Sequence, residues 1–126
     1  MFDRLYFYID KLVRAKYFFI HEHTNRNDYI DDYQELKDSL IKKYGEPAFY
    51  DFVWKDDLYR NDPSEWGMAI AIGHLVYQAR WATESTEIIL QLAGDNFEIK
   101  LEIEYKSSHL QELEQKAKEE EIMEAL

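Results

Sequence analysis

The sequence predicts an α+β domain, an antiparallel sheet of about five or six strands with helices covering one face. Three observations predict it. From Glu98 to Lys106, the residues Ile99, Leu101, Ile103 and Tyr105 alternate with Glu98, Lys100, Glu102, Glu104 and Lys106. That period of two turns one apolar row toward a core and one charged row toward water. A second strand pattern, TEIILQLAGDN, begins at Thr86, and Gly94-Asp95-Asn96 joins the two as a hairpin. Between Tyr29 and Tyr44 the period changes. Tyr29 or Ile30, Tyr33, Leu36, Leu40 and Tyr44 recur at steps of three and four, the stripe of a helix with one buried side.

The remaining elements follow in chain order. Leu5 to Ile9 and Leu12 to Ile20 are rich in aromatic and branched residues and flank Asp10-Lys11, which reads as a hairpin. In the second of these strands Val13, Ala15, Tyr17 and Phe19 share the core face, opposite Arg14 and Lys16. His21 to Asp28 is polar, and Asn27 or Asp28 can cap the following helix by accepting an orphan backbone N–H. Asp31 and Asp32 in its first turn and Lys42 and Lys43 in its last suit the helix dipole, while Gly45 and Pro47 end it. Ala48 to Trp54 reads as a strand, and Lys55 to Asn61 as a charged loop. Asp62-Pro63-Ser64-Glu65 has the chemistry of a helix start. It precedes a short buried helix, or alternatively a strand, from Trp66 to Ile72 that stops at Gly73. Leu75 to Ala82 is a strand with Leu75, Tyr77, Ala79 and Trp81 on one face. Ser108 and Gln111 resemble a capping box at the head of a C-terminal helix over residues 109–126. Its apolar stripe runs through Leu110, Leu113, Ala117 and Ile122 or Met123. Glu119, Glu120, Glu121 and Glu124 sit near its C-terminus, against the dipole, so its last turns fray unless a partner binds them.

At 126 residues the chain reads as one domain, residues 1–126. A net charge of −11 excludes a general nucleic-acid binder and adsorption to an anionic membrane surface, since both need a basic face. With no cysteine there is no disulfide, thiolate nucleophile or cysteine-type zinc site. No apolar run is long enough to span a bilayer. Asp10 and Lys11 interrupt the first apolar run, so it does not read as a signal peptide. As written the chain reads as cytoplasmic, and as exported if a leader once preceded Met1.

Candidate chemistry is sparse. His21-Glu22-His23 sets two imidazoles on one face of an extended segment, so His21 and His23 are the candidates for a metal site. They lack a third ligand at a recognised spacing, and the plain reading is a polar strand end. Asp28, Asp31 and Asp32 invite a paired-carboxylate reading, yet cap and dipole duty account for them. His74 follows Gly73 at a turn where a general base could stand, with Glu65 or Asp62 to orient it; a turn histidine with a local hydrogen bond is the plainer account. His23, His74 and Asp32 are thus the candidates for catalysis. There is no G-x-S-x-G elbow and no glycine-rich phosphate loop. Trp54, Trp66 and Trp81 read as core before they read as a binding face. No cofactor is implied.

Several residues form a familiar block: Lys11-Leu12-Val13 before Tyr17, then His23, Asn27-Asp28-Tyr29-Ile30-Asp31-Asp32-Tyr33 and Lys43-Tyr44-Gly45 before Pro47. Trp54, Trp66-Gly67, Gly73, Trp81, Thr83, Thr86, Ile88 and Gly94-Asp95-Asn96 complete it. Over residues 5 to 107 the chain resembles a family of small uncharacterised bacterial domains. The resemblance implies no activity and brings no functional residues with it. The expectation is therefore a non-enzymatic binding or accessory module. It would act through an exposed sheet face or the acidic C-terminal helix, with a protein partner or a second copy as the occupant. The alternative is a small enzyme or ligand-binding protein whose site is assembled from distant residues.

The apolar row gives the first prediction. Leu101→Asp puts a charge in its centre and should abolish the cooperative thermal transition. A native-like melt followed by near-UV circular dichroism would show that the row is not the core.

Overall fold

Leu5–Asp10 (β1) and Arg14–Phe19 (β2) pair antiparallel, with Leu5 opposite Phe19 and Asp10 opposite Arg14. They belong to a computed structural model that describes residues 5–10, 14–107, Lys116, Glu119, Glu120 and Met123, the last four helical. The core face expected of Val13, the apolar stripe expected of Leu110 and most of the expected C-terminal helix lie outside what is described.

The chain continues through Asp28–Tyr44 (α1), Phe49–Trp54 (β3), a 3-10 turn at Pro63–Glu65, Trp66–Ala71 (α2), Leu75–Ala82 (β4), Thr86–Asp95 (β5) and Glu98–Ser107 (β6). All six strands form one antiparallel sheet in the order β1-β2-β6-β5-β4-β3. The fold is α+β, as the patterning predicts. β6 lies between β2 and β5, so the last strand joins the N-terminal hairpin to the β3–β5 meander. β1 and β3 are the two edges.

Both helices rest on one face, α1 over β5 and β6, and α2 over β4, β5 and β6. Tyr33, Leu36 and Leu40 of α1 meet Tyr77, Trp81, Ile88, Leu90, Leu92, Leu101 and Ile103 of the sheet. All of these carry the expected burial. Ala69, Ile70, Ala71, Leu75 and Ala79 are also fully buried, in keeping with the short buried helix expected from Trp66 to Ile72 and the shared face expected of Leu75 and Ala79. Three of them are alanines, whose small side chains contribute little to an apolar stripe but allow close contact of backbones. Tyr17, Phe19, Trp54 and Ile99, expected in the core, are only partly buried. They lie toward the margins of the face that α1 and α2 cover.

One turn differs from expectation. The β5–β6 hairpin turns at Asn96-Phe97, with φ of 49° and 66°, rather than at Gly94-Asp95-Asn96. Positive φ at both central residues matches the right-handed strand twist, which is why two-residue hairpins use it. Gly94 stays within β5 for a different reason. A Cβ there would lie 2.4 Å from the Ile70 carbonyl oxygen and 3.0 Å from the Ala71 Cα. The missing side chain lets α2 sit directly on the strand, and the Phe97 N–H donates to the Ala71 carbonyl at 2.9 Å.

Asn27 stands at the start of α1, but its side chain does not cap that helix. The N–H groups of Asp28, Tyr29 and Ile30 instead reach the carbonyls of Asn25, Arg26 and Asn27. That frees the Asn27 amide to accept from Gly67 N–H at 2.6 Å and donate to the Pro63 carbonyl at 3.0 Å. Asp62 likewise makes no capping bond; it accepts from the Ser64 hydroxyl at 2.6 Å. At the far end of α1 the Gly45 N–H donates to Ile41, and the Gly45 carbonyl accepts the Trp81 indole N–H at 2.8 Å.

The two glycines should behave differently on substitution. Gly94→Ala forces α2 off the sheet and should cost about 3 kcal/mol. Gly45→Ala meets nothing within 4 Å and only strains a φ of 86°, so it should cost about 1 kcal/mol. Chemical denaturation of both variants checks the order.

Candidate functional site

Three places hold the residues that could act: the β2–α1 segment around His23, the turn at His74, and the edge strand β3.

β2 leaves β6 after the Phe19–Leu101 pair. From Ile20 the backbone diverges from residues 98–100, and an open hollow of about 460 Å³ forms between them, with His21, Tyr29 and Lys100 in its walls. His23 lies beside it. Its Nε2 is 2.5 Å from Asp32 Oδ2, its Nδ1 is 4.0 Å from Asp28 Oδ2, and its backbone N–H donates to the Tyr29 hydroxyl at 3.2 Å. Asp32 is one helical turn along from Asp28, so both carboxylates reach the same ring. His21 packs edge-on against His23 with ring centroids 4.7 Å apart, and Tyr29 does so from another side at 4.9 Å.

The structure therefore brings together His21, His23 and Asp32. Asp31 is exposed and outside the cluster. An Asp–His pair fixes the tautomer and orientation of the imidazole, which is what a general base needs. Here, however, the second ring nitrogen faces Asp28 in place of a hydroxyl nucleophile. Among the described residues no group of three or more His, Asp or Glu side chains is placed to hold a metal ion.

His74 stands apart, at the entry to β4. Its carbonyl accepts from Lys55 N–H at 2.7 Å and its ring faces Tyr59 with centroids 6.4 Å apart. Nδ1 is buried and has no hydrogen-bond partner. The expected orienters do not reach it: Asp62 bonds Ser64, and Glu65 makes no bond to the ring.

The face away from the helices is polar and largely paired. Glu104 is buried between Lys16 at 3.3 Å and Lys106 at 3.1 Å. Burial alone would raise its carboxyl, but the hydrogen bonds and charges of Lys106 and Lys16 outweigh it and hold the carboxyl below its ordinary range. Gln78 donates to Gln91 at 2.8 Å and accepts from Arg80 at 3.1 Å, and Arg80 faces Glu87 at 3.6 Å. Within the charged row read from the sequence, Glu104 thus pairs across to Lys16 of β2 and along β6 to Lys106.

β3 is the contrasting surface. Phe49, Tyr50, Phe52 and Val53 are 47%, 61%, 50% and 50% exposed. Lys37 of α1 sits over the Tyr50 ring at 4.2 Å, and Phe52 touches the Tyr77 ring at 5.7 Å. The backbone direction follows from two hydrogen bonds. Lys55 N–H donates to the His74 carbonyl, and Thr83 N–H to the Thr86 carbonyl at 2.8 Å. Antiparallel ladders alternate strictly, so Phe49, Asp51 and Val53 direct their peptide groups to β4, while Tyr50, Phe52 and Trp54 direct theirs to the outer edge. Sequence reading placed this strand but not its exposure, because edge position depends on strand order. The run of five apolar residues in FYDFVW is the one signal that could have shown both faces at work.

No protein-family model matches the chain, and neither a curated protein nor a solved structure shows significant similarity to it.

The His23–Asp32 contact should be measurable. A double-mutant cycle of His23→Ala and Asp32→Ala should give a coupling of about 1 kcal/mol at neutral pH. Asp31→Ala should couple to His23→Ala not at all; a zero value for the first pair would show that the contact adds nothing.

Proposed function

We propose that this protein is a non-enzymatic binding module whose docking surface is the outer edge of β3. One observation carries the reading. A single edge strand combines four exposed large apolar side chains with outward-directed peptide groups at Tyr50 and Trp54. Edge strands ordinarily carry charges, prolines or bulges that deter pairing. Here Pro47 lies just before the strand, and Ala48 donates to Arg80 next to the Phe49–Arg80 pair, a bulge that ends the ladder at that end. The centre of β3 has only Asp51 to interrupt it.

Such an edge accepts an extended segment as an additional strand. Main-chain hydrogen bonds supply affinity, and the alternating side chains supply selectivity. The sheet face opposite α1 and α2 fits this role less well, because Glu104 pairs there with Lys16 and Lys106, and Arg80 with Glu87. A second reading, a small enzyme or ligand-binding protein at the hollow beside His21, draws support from the His23–Asp32 pair. Among the described residues it has neither a nucleophile beside His23 nor an enclosed cavity.

The test is a selection of extended decapeptides with alternating aromatic residues, followed by amide NMR on the complex. Binders should perturb Tyr50 to Trp54 most strongly and lose affinity in Tyr50→Pro. That substitution removes an outward N–H without touching the β3–β4 ladder. Binders that map to the hollow beside His21 would overturn the reading in favour of the second.

A further inference from the structure

We infer that the strand seated on the β3 edge is β3 of a second copy, paired antiparallel about a two-fold axis through Phe52. The inference rests on the edge reading above and names its occupant. It comes from the register that β3 allows with itself.

A two-fold axis that relates antiparallel strands runs perpendicular to the sheet, so each residue must pair with one from the same sheet face. Hydrogen-bonded pairs must also use outward-directed residues on both sides, here drawn from Tyr50, Phe52 and Trp54. Three registers near the strand centre satisfy both conditions. The first centres on Asp51 and sets this aspartate opposite its own copy, a like-charge pair. The third centres on Val53 and matches Phe52 with Trp54, leaving Tyr50 opposite Asp56 beyond the strand end. The second centres on Phe52. It sets Tyr50 opposite Trp54 on both sides of the axis, so four main-chain bonds form from these two residues and their copies.

The side-chain positions agree with that register. On the helix-covered face an aromatic ladder forms, Tyr50 with Trp54, Phe52 with Phe52, Trp54 with Tyr50. On the other face Asp51 falls opposite Val53, and Lys55 falls opposite Phe49. Only in this register do Tyr50 and Trp54 both find hydrogen-bonding partners within the six-residue strand of the other copy. Among the described residues, α1 and α2 lie over β4, β5 and β6, and no strand pairs with the outer edge of β3. Joining two edges makes one continuous sheet and hides both exposed strands in an isologous contact.

The absence of cysteine makes the register testable. Asp51→Cys and Val53→Cys chains, mixed and oxidised, should form a disulfide. Directly opposite residues of a non-hydrogen-bonded pair have Cα atoms about 4.5 Å apart, inside disulfide range. Neither variant alone should link, because diagonal positions lie roughly 7–8 Å apart. Linkage of Asp51→Cys alone or Val53→Cys alone would overturn this register in favour of the first or third. Sedimentation equilibrium of the unmodified chain should give twice the chain mass, and Tyr50→Pro should return it to the monomer with its thermal transition intact. A monomer at all concentrations, while selected peptides still bind β3, would overturn the second-copy inference and leave the edge reading standing. A dimer that persists in Tyr50→Pro and forms no mixed disulfide would overturn this inference and count against the edge itself.

Discussion

At Gly94 the backbone of β5 and the carbonyl of Ile70 are too close for a methyl group to fit between them. Much of the fold depends on that approach. α2 is only six residues long and contributes three fully buried residues in succession, Ala69, Ile70 and Ala71. A helix this short has little stability of its own, so it is held by what touches it. Gly94 admits it to the sheet, and Phe97 bonds its last turn. On the other side, Gly67 lies so near Arg26 and Asn27 that a Cβ there would come within 2.4 Å of the Arg26 carbonyl carbon. Asn27 then locks that contact with two hydrogen bonds. The two glycines let α2 act as a wedge between the β5–β6 hairpin and the segment leading into α1.

That wedge also positions the His23 cluster. His23 belongs to a segment without regular structure, and such segments are ordinarily the most variable part of a fold. Here the segment is fixed at one end by the β2–β6 pairing and at the other by Asn27 on α2 and Tyr29 on the core. The imidazole is thereby brought onto Asp32. A structural account of the pair is complete without catalysis: it ties the approach to α1 onto the first turns of that helix.

The legible parts of the sequence were those governed by local periodicity. The β5–β6 alternation and the Tyr33–Leu36–Leu40 stripe report which side of each element meets the core, and the burial observed matches both except at Glu104, which is buried on the row expected in water. Asn27 was read as a cap because local chemistry favours asparagine there. The residue that claims its side chain, Gly67, lies 40 positions away, and no local rule can anticipate such a partner. The hairpin turn was misplaced by the same cause. Gly94 looks like a turn glycine, yet it is needed for contact with α2, and Phe97 takes a positive φ despite its bulk. His23 and Asp32 were named separately, but their contact depends on the bend between β2 and α1, which spacing does not reveal.

The edge strand follows from topology alone. Once β6 inserts between β2 and β5, β1 and β3 are left at the margins. β3 enters that position with a sequence suited to burial on both faces. Covering it from within would need a helix over β4 and β3, but α1 is held over β5 and β6 by Tyr33, Leu36 and Leu40, and α2 is too short to extend there. Among the described residues, the Lys37 stem, the Tyr77 ring and the Trp66 ring reach β3, at Tyr50, Phe52 and Trp54 respectively. The acidic surface works in the same direction. Long-range repulsion at a net charge of −11 discourages indiscriminate association. It is screened over about 8 Å at physiological ionic strength, so it does not prevent a short-range match. The docking proposed for β3 is therefore selective: an apolar edge strand on an acidic protein would pair only with a sequence whose hydrogen-bonding parity and side-chain order fit its own.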